Sequence, residues 1–166
     1  MRLFLAVILT FACASAQSNP LVTAFTARYN SAKQNLIGSA EAMPEAEYSF
    51  KLSPTQRTFA EWIQHTAAGN YSYCASLGGQ PAEAHKMPEG ASKAEYQKDL
   101  AASFDFCDTV IKGMDDPKAL TANKDGKYPV NAMFGLIAGL NDHYGNIVGY
   151  LRAKGITPPS SAKAKH

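Results

Sequence analysis

The sequence predicts an all-α protein, a four-helix bundle with long interhelix connections. Three observations carry that reading. Every strong apolar periodicity in the 166 residues is the 3.6-residue repeat of a helix. The helix starts carry capping residues, followed by proline or by Glu or Gln three positions on. Four stretches each present one apolar stripe, and four such stripes bury best against each other.

The first helix is expected over residues 20–42, opened by Asn19-Pro20, with Val22, Phe25, Tyr29, Ala32, Leu36 and Ala40 as its stripe. The second is expected over 54–77, opened by Ser53-Pro54-Thr55-Gln56. Its inner side holds Phe59, Trp62, Ile63, Thr66, Asn70, Tyr73, Cys74 and Leu77. The third, over 93–114, starts at the capping box Ser92-Lys93-Ala94-Glu95 and buries Tyr96, Leu100, Cys107, Val110, Ile111 and Met114. The fourth, over 130–154, carries Met133, Ile137, Leu140, Tyr144, Ile147, Val148 and Leu151; Gly155 ends it and Pro158-Pro159 blocks its continuation. The connections run to about a dozen residues, long enough for crossovers or functional loops.

Hydrophobic residues at 46% and charged residues at 18% give the balance of a globular domain rather than a disordered chain. The net charge is +2, and no Lys/Arg cluster precedes the tail, so nucleic acid is not an expected partner. Met1-Arg2, the apolar run Leu3 to Ala12 and Ala14-Ser15-Ala16 read as a signal peptide cut after Ala16. That run is too short for a stable membrane span. The expected organisation is a signal peptide over 1–16, one domain over 17–161 and a short disordered tail over 162–166, in a periplasmic or secreted protein. Cleavage removes Cys13 and leaves Cys74 and Cys107. They form a disulfide if their Cα atoms come within about 7 Å, and two buried thiols otherwise.

Four histidines are present. His166 falls in the tail, and His85 in a polar loop where solvation is expected. His65 and His143 lie within helices, each just off the edge of an apolar stripe, where a side chain can line a cleft. Neutral imidazole binds first-row divalent metals, and a catalytic zinc site usually has three protein ligands and an open position. Glu61, one turn before His65, can share its face. One turn before His143 stands Gly139, which offers no ligand. Gly135, Gly145 and Gly149 lie roughly opposite the apolar stripe of the last helix, a smooth face for close helix packing in the bundle or in a homodimer.

Two segments carry a family resemblance. "AEWIQHTAAGNYSYC" resembles the second helix of the DinB-like (DinB/YfiT) superfamily, and "NDHYGNIVGYLRAKGITPPSS" resembles its final segment, in particular that of exported members. The usual final form has a histidine one turn before His-Tyr-Gly, then Tyr-Leu-Arg, Lys-Gly and Pro-Pro. The likeness covers roughly residues 20–161. It implies a four-helix bundle and a divalent metal (Zn, Ni or Mn) held by three histidines, in thiol-dependent transferases or metal-dependent hydrolases. Carried over by position, the metal ligands are His65 and His143, and the third position falls on Gly139. That departure weakens metal binding unless Glu61 or water fills the place. The resemblance also favours a Cys74–Cys107 bridge. The competing reading keeps the bundle without catalysis, as a binding module for an unknown small molecule or as a dimerisation module.

Overall fold

The computed structural model describes residues 18–82 and 84–163. The expected signal peptide, Cys13 and residues 164–166 lie outside them. The described residues form six helices, four of them long, and no strand: α1 (Pro20–Ala42), α2 (Phe59–Leu77), α3 (Lys93–Lys112), α4 (Asp116–Leu120), α5 (Pro129–Ala153) and α6 (Pro159–Lys163), with a 3-10 turn at Glu45–Glu47.

The stripe expected for α1 is the one it buries. Its cap is different. Asn19 occupies the cap position without a side-chain bond to the helix. The carboxylate of Asp116 instead accepts the free N–H groups of Leu21 and Val22 at 3.0 and 2.9 Å, and Asn19 Oδ1 accepts the Asp116 N–H at 3.1 Å. A negative group at a helix N-terminus meets both the unpaired donors and the helix dipole, so α4 anchors the start of α1.

The expected start of α2 at Pro54 is corrected to Phe59. Ser53 to Gln56 form a turn, with the Gln56 N–H on the Ser53 carbonyl. Thr58 caps the helix through a capping box with Glu61. The first helical N–H groups find partners in the preceding loop: Phe59 donates to the Phe50 carbonyl at 3.0 Å and Ala60 to the Tyr48 carbonyl at 2.8 Å. The Ser92–Glu95 capping box of α3 forms as expected, and α3 closes at Gly113. Gly155, with φ +72°, terminates α5 in the left-handed conformation. Pro159 does not only stop the chain. It sits at the first position of α6, so Ala162 and Lys163, expected in a disordered tail, are helical.

Around the bundle, α2 packs against α3 and α5, and α1 packs against the same two helices. Thus α1 and α2 lie on one diagonal, α3 and α5 on the other. The diagonal steps use the connections 43–58 and 113–128; the step between the neighbours α2 and α3, 78–92, is about as long. Leu36, Ile63, Phe59, Phe104, Ile147 and Tyr150 are fully buried at the centre. Cys74 on α2 and Cys107 on α3 are joined by a disulfide, Cα atoms 5.2 Å apart, both sulfurs out of solvent.

The small residues of α5 face side chains rather than another helix backbone. A Cβ at Gly135 would stand 2.5 Å from the Tyr73 ring, and one at Gly149 would stand 3.2 Å from Leu52; at Gly145 the space is open. No helix among the described residues is long and apolar enough to cross a membrane.

Candidate functional site

The second and fifth helices bring His65 and His143 together. Their ring centroids are 4.7 Å apart, the planes tilted by 50°. Both rings lie against Trp62, at 6.0 and 5.7 Å between centroids. Trp62 is 7% exposed, and its indole N–H donates to the Tyr150 hydroxyl at 3.2 Å. That hydroxyl in turn donates to the carbonyl of Arg57. The Arg57 guanidinium folds back over the indole, 5.0 Å from its centroid. One tryptophan therefore holds two imidazoles and a cation in fixed relation.

Thr66 sets the proton of His143. Its hydroxyl donates to the Trp62 carbonyl at 2.8 Å, so its oxygen is left to accept from His143 Nδ1 across a long 3.4 Å contact. By this proton accounting Nδ1 carries the hydrogen and Nε2 keeps a lone pair. Burial, then the neighbouring His65, pushes the His143 pKa down to about 4; Asp142 pulls it up and Arg57 presses it down further. The His65 pKa is lowered too, by burial first and then by Arg57, against Asp142. At neutral pH both rings are uncharged, the form that binds metals and accepts protons.

Two spaces adjoin the pair. In front of His65 lies an open cavity of about 360 Å³, lined by Arg57, Glu61, Gln64, Ala68, His85 and Lys86 as well. Behind His143 is a void of about 10 Å³ between Thr66, Asn70, Tyr73 and Gly139, room for about one water. Asn70 is 1% exposed, and its Oδ1 has no protein partner. A larger cavity of about 590 Å³ lies on the other side of His85, between Tyr71 and Phe106, away from the histidine pair.

The remaining expected residues fall as follows. Glu61 lines the front cavity, but its carboxylate accepts the Thr58 N–H, which holds its pKa low. At Gly139 the Tyr73 ring occupies the neighbouring space, 3.7 Å from where a Cβ would stand. His85, expected to be solvated, remains part-exposed but has partners: its ring lies 4.5 Å from that of Tyr71, and its Nε2 is 2.7 Å from Asp99 Oδ1. Among the described residues no group of three or more His, Cys, Asp or Glu side chains is placed to hold one ion. The side chains present therefore do not make a three-ligand metal centre. The sequence reading missed Arg57, Trp62 and Tyr73 as site residues; only the position of Trp62, one turn before Thr66 and beside His65 on the inner side of α2, hinted at its part.

Taken together, this is a helical bundle with a paired-imidazole pocket between its second and last long helices. The family model described as the DinB superfamily matches residues 28–146, which include His65, Gly139 and His143. The chain belongs to the DinB superfamily, whose members are often metal-binding. Among curated proteins, none matches it.

Proposed function

We propose that this chain is a DinB-superfamily member whose metal centre is reduced to two imidazoles, and that its pocket serves to bind a small molecule. One observation carries the reading. Position 139, where the resemblance expects a third imidazole, is a glycine covered by Tyr73, while Glu61 is engaged at the start of its own helix. The neutral imidazole of His65 lines a cavity of about 360 Å³, which offers an acceptor and a volume suited to a compact ligand, with His143 behind it. Export, with cleavage after Ala16, belongs to the same proposal, and the buried Cys74–Cys107 bridge supports it, since disulfides persist in oxidising compartments.

Metal analysis of tag-free protein tests the reading. After incubation with zinc, nickel or manganese and gel filtration, the wild type is expected to keep well under one equivalent. The double variant Gly139→His/Tyr73→Ala, which restores the imidazole and clears its space, is expected to gain metal. One retained equivalent in the wild type, lost in His65→Ala, would overturn the proposal. That outcome would favour the second reading, a divalent-metal-dependent hydrolase or thiol-dependent transferase. Its specific support is the 4.7 Å approach of the two rings, with water or a rearranged Glu61 completing the site. In that reading the ion would supply Lewis acidity, and His65 and His143 would hold it.

A further inference from the structure

We propose that the cavity in front of His65 is a subsite for the charged end of a small anionic molecule, a carboxylate or a phosphate, gripped by Arg57 and Lys86. The inference deepens the binding role proposed above and rests on it. Two cations line this cavity and one carboxylate, Glu61. That carboxylate already accepts the Thr58 N–H. Neither Arg57 nor Lys86 is within ion-pair distance of a carboxylate among the described residues.

Arg57 is also held in place rather than loose. Its carbonyl receives the Tyr150 hydroxyl, and its guanidinium lies on Trp62. A guanidinium resting on an aromatic face keeps its edge donors free, and these fit two oxygens of a carboxylate or phosphate. Preorganised in this way, it loses little side-chain freedom on binding. Gln64 adds an uncharged polar group to the wall, and His65 closes the inner end. An anion seated there would meet positive charge at the mouth and a neutral imidazole at the back. The body of the ligand would lie towards the histidine pair.

Calorimetric titration of the chelator-treated, metal-free full chain with succinate, inorganic phosphate and neutral succinamide, at low and moderate salt, tests this. Saturable binding is expected for at least one anion, weaker at higher salt, with none for succinamide. Arg57→Gln and Lys86→Gln should each weaken it by about ten-fold or more, whereas Lys112→Gln, outside the cavity, should leave it unchanged. Amide NMR shifts should concentrate at Gln64 and Ala68. The subsite is overturned if neither anion binds more tightly than about 10 mM, if succinamide binds as well, or if Arg57→Gln binds like the wild type. Because metal is absent throughout, these results do not depend on whether the protein takes up an ion.

Discussion

Trp62 and Thr66 explain why two histidines can share a half-buried space. Two protonated rings at 4.7 Å would repel each other in a poorly solvated pocket. The fold avoids this by keeping both neutral, through burial and through the nearby Arg57. The consequence is a pH dependence with a definite sign. The folded His143 has a pKa of about 4, below the ordinary value of about 6.5. As pH falls, the unfolded chain takes up the proton first. The stabilisation is complete above about pH 6.5 and is lost as pH drops towards 4. Thermal unfolding across that window should show the wild type losing, relative to His143→Gln, on the order of 1 kcal/mol once solvent screening of this partly exposed ring is allowed for. Parallel stability curves for the two proteins would contradict the account.

At the scale of elements, the start of α2 shows how two similar signals are decided. The sequence reading opens this helix at Ser53-Pro54-Thr55-Gln56; the structure opens it at Thr58, whose capping box with Glu61 has the same spacing and is not picked out from the sequence. The second wins because the carbonyls of Tyr48 and Phe50 arrive to accept the N–H groups of Ala60 and Phe59. Thr58→Ala should therefore cost about 1 kcal/mol in chemical denaturation, and Ser53→Ala should be close to neutral; the reverse order would mean that the helix begins earlier. The same contrast says what was legible in the sequence. The stripe of α1, the Ser92 cap and the border positions of His65 and His143 depend on local spacing, and spacing is written in the chain. The Asp116 cap of α1, the bond from Tyr150 to Arg57 and the Tyr73 ring over Gly135 and Gly139 join segments tens of residues apart. Periodicity carries no information about such pairings. The glycines of α5 illustrate the limit: their smooth face was visible, but not that Tyr73 of α2 would pack on Gly135 and Leu52 on Gly149 while Gly145 stays open.

In the whole molecule, the site lies between α2 and α5, while the covalent tie runs between α2 and α3. That division separates the histidine pair from the covalent tie, although His85 and Lys86, which line the anion cavity, lie within the connection the bridge encloses. The bridge spans 33 positions in sequence and includes the whole connection from α2 to α3. Closing a loop of that length removes unfolded-chain entropy worth about 3 to 4 kcal/mol. Both cysteines are buried, so alanine is the apt replacement; serine would add an unpaired hydroxyl to the core. The double variant Cys74→Ala/Cys107→Ala should fold, but melt roughly 10 °C lower. Trp62, Tyr150 and Arg57 hold the histidine pair through contacts that do not pass through α3. At temperatures well below the new midpoint, the variant should therefore keep the acid titration of the histidine pair that Trp62 senses, even where the enclosed connection carrying Lys86 loosens. Intrinsic tryptophan fluorescence reports both quantities, since Trp62 is the single tryptophan of the chain. If that titration shifted in step with stability, the bridge would be shaping the histidine pair itself, and the separation would fail.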